Sequence, residues 1–308
     1  MSATQDDNST KDSLSTEEQL NDLRKKYVAA DNVWKIASVV VLFLALVYVV
    51  LIFMKLLDIS FYVDAIVAVV LLALMFFCIY LLPHFLKTSS KQKEYFAKYK
   101  EAYLKTTLEN AFKDGEYSDY EKVSARDLTK ITVLKKAKGA VANDCIRGQY
   151  KKIPFSRYDL ALRYGKKKAS SECVLIITEL RTKIKSEVQI VENSFKIGGI
   201  EYEQPETFCK ILSKDEKFDE KFEVFAQDQD DGEKLLKDKL INKLKKLDVG
   251  GPVAIFCDKN EMCLIIKKKK DPMEAPIHTP VKEKKALKEA EKEVENIKTW
   301  IELIDDCL

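Results

Sequence analysis

The chain has 308 residues, of which 46% are hydrophobic and 33% charged, and its formal net charge is only +3. This composition is too apolar for a disordered chain and too highly charged for a polytopic transporter. A net charge so close to zero argues against a dedicated nucleic-acid-binding protein, which usually carries a strong basic excess. The length is enough for one or two folded units.

The N-terminal residues 1–14 are polar and are predicted to form a disordered tail. Ser15 and Glu18 have the spacing of a helix capping box. Apolar side chains follow at spacings of three and four, which predicts a cytoplasmic helix over residues 15–35. Its stripe consists of Leu20, Leu23, Tyr27, Ala30 and Trp34.

Two uncharged apolar stretches come next, at residues 36–54 and 65–82. As a helix the first would be about 28 Å long, close to the roughly 30 Å thickness of a bilayer core. The intervening residues 55–64 are too few for a domain. We therefore expect a two-helix transmembrane hairpin with a short extracytoplasmic turn. A buried hairpin in a soluble protein is the alternative, but the rest of the chain is not apolar enough to surround one.

Lysine and arginine residues predict the orientation of the hairpin. They are concentrated before residue 36 and after residue 86, whereas the connecting turn holds only Lys55. Both termini are therefore predicted to be cytoplasmic. No ionisable residue lies within either span, which suits an anchor better than an ion pathway. A pore made from several hairpins remains an alternative.

A juxtamembrane helix is predicted over residues 88–114, with Gly115 as its stop signal. Phe96, Tyr99 and Tyr103 lie on one face of this helix. Because antiparallel neighbouring spans bring their cytoplasmic extensions together, we expect these aromatic side chains to pack on the stripe of the first helix.

Residues 116–272 are predicted to form a cytoplasmic α+β domain with an antiparallel or mixed sheet. Residues 156–164 alternate strictly, which predicts a half-buried strand with Arg157 and Asp159 on the face opposite Leu160. The apolar run 173–177 predicts a central strand, and residues 253–266 predict a hairpin. Helices are predicted at 124–134 and 233–247.

Three prolines predict a linker over residues 273–280, followed by an amphipathic C-terminal helix over 281–308. The apolar positions of this helix step by three and four, as in a short coiled coil. We expect the helix to dock on the sheet of its own chain. A contact between copies that forms a homo-oligomer is the alternative.

No signature of catalysis is present. The two histidines, His84 and His278, lie outside the predicted domain, and no zinc-type spacing or glycine-rich phosphate loop occurs. The acidic residues 228–233 resemble a calcium loop, but its twelfth position is Lys239 instead of a bidentate glutamate. The sequence therefore predicts no catalytic residue, no metal and no cofactor.

Seven irregularly spaced cysteines predict no disulfide framework and favour a reducing compartment. Basic clusters are the remaining candidate sites. They belong either to solvated turns or to contacts with anionic lipid, where each lysine contributes about 1 kcal/mol. The candidate lipid contacts are Lys151, Lys152, Lys166, Lys167 and Lys168.

Several segments resemble an uncharacterised bacterial family of two-span membrane proteins, classed as a domain of unknown function. They are C-I-R-G-Q-Y-K-K-I-P-F at 145–155, F-D-E-K-F-E-V-F at 218–225 with Asp228-Gln229, and N-I-K-T-W-I-E-L-I-D-D at 296–306. The resemblance covers roughly residues 90–308. This chain has Asp230-Asp231-Gly232 where the family tends to have an A-R-Y-type helix start. The resemblance implies a bacterial inner-membrane protein and brings no activity, cofactor or catalytic residue.

These observations favour a multi-pass, membrane-anchored, non-enzymatic protein. Its partners would be the lipid bilayer and either a protein or a lipid head group bound by the cytoplasmic domain. The alternative is a membrane-bound enzyme that uses carboxylate and lysine chemistry.

Overall fold

A computed structural model describes residues 15–53, 61–82, 86, 88–123, 131, 134, 137–164, 169–180, 184–197, 200–202, 204–268 and 273–305. The predicted tail at 1–14, most of the turn at 55–64 and most of the predicted helix at 124–134 lie outside these residues. The chain divides into two compact units. The first contains Met1–Ala102 and Ala275–Lys285, and the second contains Tyr103–Glu274 and Ala286–Leu308.

The first unit is helical. It contains α1 (Thr16–Phe53), α2 (Phe61–Phe76) with a π-helical continuation (Phe77–Leu81), and α3 (Thr88–Tyr99). The predicted capping box is present, since the Ser15 amide donates to the Glu18 carboxylate at 2.9 Å and the Glu18 amide donates to Ser15 Oγ at 3.3 Å. The start of α1 is therefore fixed by its own sequence.

Helix α1 has two halves of different character. In the first half, Leu20, Tyr27 and Ala30 are buried, whereas the large apolar side chains of the second half face outward, as Phe43 does with 62% exposure. Within the described part of the chain, Thr16–Leu51 is the one helix long and apolar enough to cross a membrane. The second apolar helix, Ile66–Leu81, is shorter.

The first half of α1 packs against α3, as expected. The aromatic side chains that α3 buries almost completely are Tyr95 and Tyr99, whereas Phe96 of the predicted stripe is only partly buried. Helix α1 also contacts α2 and its π-helical continuation. Near the middle of α1, the Trp34 indole N–H donates to the Cys78 carbonyl at 2.9 Å.

The proline at residue 83 explains the hydrogen bond from Trp34. In the π-helical segment the Leu82 N–H donates to the carbonyl of Phe77, five residues earlier. The next donor in that ladder would be residue 83, which is a proline and has no N–H. The Cys78 carbonyl therefore lacks a backbone donor, and the Trp34 side chain supplies one.

Residues 273–280, predicted to be a linker, lie partly against the helices of the first unit. The Asn21 side chain pairs with both the N–H and the carbonyl of Val281, at 2.8 and 3.0 Å. The Arg24 guanidinium donates to the Ile277 carbonyl at 3.0 Å, and the Tyr95 hydroxyl donates to the Pro276 carbonyl at 2.6 Å. These contacts hold the segment through its backbone.

The second unit is an α+β domain whose described residues form an antiparallel sheet of nine strands, in the order β1-β2-β3-β4-β11-β10-β5-β9-β8. Its strands are β1 (Lys113–Val123), β2 (Gly139–Tyr150), β3 (Ile153–Tyr164), β4 (Ala169–Glu179), β5 (Val188–Glu192), β8 (Cys209–Ile211), β9 (Phe222–Ala226), β10 (Val253–Asp258) and β11 (Glu261–Lys267). The short strands β6 (Lys196–Ile197) and β7 (Ile200–Glu201) form a separate ladder. The predicted central strand and the predicted hairpin are confirmed as β4 and β10–β11.

A hydrophobic core covers one face of the sheet, and the C-terminal helix lies on the other. One face carries a core that includes Leu160, Leu162, Leu175 and Phe256. Helices accompany the sheet in the second unit: α4 (Thr106–Ala111), α5 (Glu216–Asp219), α6 (Gln229–Leu235), α7 (Asp238–Lys246) and α8 (Glu283–Asp305). Helix α8 buries Ala290, Val294, Ile297, Trp300 and Ile301 within the chain. The expected docking of the C-terminal helix on its own sheet is thus confirmed.

The structure corrects three sequence predictions. The juxtamembrane helix ends at Ala111, not at 114, because Phe112 is extended and its buried ring packs on the Phe155 ring. The predicted helix at 233–247 is two helices, since Leu236 has φ −78° and ψ 55° and interrupts the ladder. Strand β3 is not half-buried, since Arg157 and Asp159 are buried as well as Leu160.

Candidate functional site

The predicted lipid-contacting residues Lys151 and Lys152 form the two-residue turn between β2 and β3. Tyr150 pairs with Ile153, and the two lysines between them have φ values of +51° and +66°. A two-residue hairpin with two positive φ values is a type I′ turn, which prefers Asn-Gly. A side chain with a Cβ costs roughly 1–2 kcal/mol in this conformation. Both lysines of this turn therefore occupy positions that asparagine and glycine adopt more easily.

The two lysines have different surroundings. Lys151 pairs with Glu302 of α8 at 2.6 Å and lies over the Tyr150 ring at 5.5 Å. The Tyr150 hydroxyl donates to the same carboxylate at 2.9 Å. These hydrogen bonds from Lys151 and Tyr150 hold the pKa of Glu302 below its ordinary value. Lys152 is exposed and has no ion-pair partner among the described residues.

The remaining predicted lipid contacts, Lys166, Lys167 and Lys168, lie outside the described residues. They follow β3 in the sequence, whereas Lys151 and Lys152 precede it.

A buried ionic cluster lies beneath α8, on the face of the sheet opposite the core of Leu160. Its centre is Arg157, which has no exposed surface. The residues in register with Arg157 across the sheet are aliphatic and lie on the same face: Ile146, Ile176, Leu264, Ile255, Ile190 and Val224. A charge in such a row is costly unless it is paired and hydrogen-bonded.

Two carboxylates provide that pairing. Asp159 receives both guanidinium nitrogens of Arg157, at 2.6 and 3.0 Å, and Glu293 of α8 receives one of them at 2.8 Å. Burial opposes the charge of Arg157, but the attraction of Asp159 and Glu293 outweighs it and raises the pKa of the guanidinium. Arg157 therefore remains charged, and its pair with Glu293 joins α8 to the sheet.

A bulge in β2 completes the cluster. Asp144 and Cys145 together oppose a single residue of β3, and Asp144 has a φ of +49°. The Asp144 carbonyl accepts from Arg157 at 3.1 Å, and its carboxylate accepts from the Tyr117 hydroxyl. Aspartate is among the residues that tolerate this left-handed conformation.

Lys268 stands at the margin of the cluster. Its ammonium donates to the Val249 carbonyl at 3.1 Å and lies 5.4 Å from the Trp300 ring centre. Burial lowers the pKa of Lys268, although the nearby Glu293 partly offsets this effect. The cluster thus consists of charges that bind one another, and its chemical consequence is to fix α8 in register on the sheet.

Sequence reasoning found only part of this cluster. Arg157 and Asp159 were assigned to the second face of β3, but Glu293, Asp144 and Tyr117 were not singled out. A buried glutamate in a lysine- and glutamate-rich helix has no distinguishing local signal. The position of Glu293 next to Val294, on the apolar side of the helix, is the sequence feature that indicates its burial.

The acidic residues 228–233 lie at the start of α6. The Asp228 carboxylate caps α6 by accepting from the Asp230 and Asp231 amides. Asp231 is buried and accepts three hydrogen bonds, each of 2.9 Å, from the Lys185 amide and from the Ser186 amide and hydroxyl. Burial would raise the pKa of Asp231, but these bonds outweigh it and lower the pKa.

Among the described residues the cysteines are free thiols. Cys78, Cys173 and Cys257 are buried, whereas Cys209 is exposed. Burial raises the pKa of Cys145 to about 12. Such thiols are poor nucleophiles at neutral pH.

Comparisons with known proteins give limited matches. No curated protein matches the chain. A similar solved structure is the crystal structure of the mycobacterial trehalose monomycolate transport factor A, TtfA, with 9% identity, coverage of 65% of this chain and 93% of that chain, and a TM-score of 0.39. Residues 173–307 match the family described as "Protein of unknown function (DUF3137)", in agreement with the uncharacterised family that the sequence resembles.

Proposed function

We propose that this protein is a non-enzymatic, membrane-anchored protein whose α+β domain binds a protein partner or a lipid head group at the cytoplasmic surface. One observation carries the proposal: the apolar half of α1 is uncovered. Ile36, Val39 and Leu46 are each more than 60% exposed, although the preceding half of the same helix is packed. An uncovered stripe of this length is costly in water and favourable in lipid.

The second apolar helix supports a hairpin. Helix α2 with its π-helical continuation covers Phe61–Leu81, and Ile66, Val69, Leu72 and Tyr80 face outward. It contacts α1, and the Trp34–Cys78 hydrogen bond satisfies a carbonyl that lipid could not satisfy. We therefore propose two spans, with both termini in the cytoplasm of a bacterial cell and the spans in its inner membrane.

The anchor is joined to a packed base. Because α1 is continuous, its outward-facing apolar half and its packed half form one rigid rod. Segment Ala275–Lys285 is bound to that base, and α8 begins within it at Glu283. The chain therefore continues from the base of the anchor directly into α8 of the α+β domain.

The ionic cluster gives no support to the enzyme alternative. Arg157 is bonded to Asp159 and Glu293, and Lys268 to the Val249 carbonyl. Groups held in this way are structural unless a substrate displaces them.

Fusion of a reporter after Leu308 tests the topology, combined with purification of the full chain from native membranes. We expect a reporter that requires the cytoplasm to be active, and a protein or anionic lipid to co-purify. Activity only of a reporter that requires the cell exterior would refute the proposed orientation.

A further inference from the structure

We infer that the lysine turn, residues 150–153, binds the anionic head groups of the bilayer in which α1 is anchored; this inference rests on the proposed membrane anchoring. The lysines are unusual residues for the backbone conformation of this turn. Lys151 and Lys152 both adopt left-handed conformations that asparagine and glycine adopt more easily. The two-residue hairpin requires this backbone conformation but not lysine, and strained residues are often found at functional sites.

The turn presents the residue types that suit a membrane surface. Lys152 is exposed at its tip, and Tyr150 lies beside Lys151 with its ring 5.5 Å from the ammonium. Tyrosine is enriched at the interface of bilayers, and lysine is attracted to anionic lipid. Lys243 of α7 lies close by, since its ammonium is 3.3 Å from the Glu302 carbonyl.

Glu302 competes with lipid for the turn. Its carboxylate binds Lys151 at 2.6 Å, so a phosphate that approaches the turn must share or displace this partner. Lys152 needs no such exchange. The first contact would therefore be made by Lys152, and Lys151 would follow.

Another hairpin provides a contrast. Lys259, in the turn between β10 and β11, is also left-handed, with a φ of +55°. It is flanked by Asp258 and Glu261, which pair across the strand ends. Their carboxylates offset its charge, so this turn should not respond to anionic lipid.

The phosphate of the bilayer is a better occupant than an acidic protein, because anchoring keeps the domain beside lipid at a high effective concentration. Each lysine near an anionic surface gains roughly fivefold in association, so the pair gains about 25-fold.

The test uses the full chain in nanodiscs of phosphatidylcholine alone and in nanodiscs with equal parts of phosphatidylcholine and phosphatidylglycerol. Hydrogen exchange of peptides that cover residues 146–156 is measured in both. We expect slower exchange in the anionic nanodiscs, and loss of that difference in the variant K151N/K152G. This variant also relieves the turn, so it should fold at least as well as the parent chain.

Two further variants sharpen the test. E302Q should enlarge the lipid effect because it releases Lys151, and K259G should leave it unchanged. Equal exchange of the parent chain in both nanodiscs would overturn the inference and favour an acidic protein as the partner. A lipid effect that survives in K151N/K152G would also overturn it, because residues other than these lysines would then respond to the lipid. Insertion of the chain into both nanodiscs with no lipid effect would leave the proposed anchor intact, whereas failure to insert would refute both.

Discussion

Substitution of Arg157 by methionine is the sharpest perturbation of the domain. Methionine fills the aliphatic row but leaves Asp159 and Glu293 buried without their cation. Removal of one partner from a buried ion pair typically costs 3–5 kcal/mol, and two carboxylates are stranded here. We expect R157M to lower the stability of the sheet by about 3–5 kcal/mol.

The expected loss of stability in R157M comes from the two unpaired carboxylates and not from the change in side-chain size. If so, the variant R157M/D159V/E293L should recover most of the lost stability, because replacement of a whole buried ionic group by apolar side chains is often neutral. The matched control is E291Q, which removes an exposed glutamate of the same helix. Its effect should stay within about 0.5 kcal/mol.

Native-state hydrogen exchange in urea, measured on peptides of β3 and α8, reports the local stability directly. A loss below about 1 kcal/mol for R157M would show that the cluster is solvated and that the argument from burial is wrong. A triple variant less stable than R157M would show that the shape of the ionic group, rather than its charge balance, holds α8.

Further predictions concern three other positions. Asp231→Asn should cost about 1–3 kcal/mol at neutral pH through weakened hydrogen bonds. Because the folded state lowers the Asp231 pKa below its ordinary 3.8, this stability is present above that value and is lost as the pH falls through the lowered pKa, so the two urea-unfolding curves should converge in acid. Gly232→Ala would place a Cβ 2.8 Å from Ile211 Cγ1 and should cost about 1–3 kcal/mol in the same assay. Trp34→Phe should lower the melting temperature in detergent, since the Cys78 carbonyl loses its donor at a cost of about 1–3 kcal/mol.

Matched controls distinguish these effects from general damage. Asp230→Asn alters an exposed neighbour of Asp231 and should leave the pH dependence unchanged. Gly139→Ala meets only the flexible end of the Arg163 side chain, at 3.3 Å, and should be milder than Gly232→Ala. An unchanged melting temperature for Trp34→Phe would contradict the assigned role of the indole.

The sequence predicts features that depend on local chemistry. The capping box at Ser15, the apolar half of α1 and the hairpin of β10 and β11 each carry a local pattern, and each is present. The alternation in β3 predicts the strand and its two faces, but not the burial of Arg157 and Asp159. The same holds for the docking of α8, whose apolar spacing predicts one buried face.

Strands β1 and β2 could not be predicted because neither shows the regular alternation of apolar and polar residues that indicates a strand. Strand β1 lies at the edge of the sheet and is rich in charge, which is typical of protected edges. In β2, the bulge at Asp144 breaks the alternation, and Gly139 and Gly148 weaken the local preference for a strand.

The ionic cluster depends on contacts between residues far apart in the sequence. Arg157 and Glu293 are separated by 136 positions, so no local pattern links them. The lysine turn was predicted as a basic site, but its left-handed backbone follows from the register of β2 and β3, which the sequence does not specify.

The claim that the uncovered half of α1 lies in lipid can be tested most directly by alkaline carbonate extraction of membranes from cells that produce the full chain. The account predicts that the protein stays in the membrane pellet and leaves it only when detergent is added. Recovery of the folded protein in the carbonate supernatant would contradict the account.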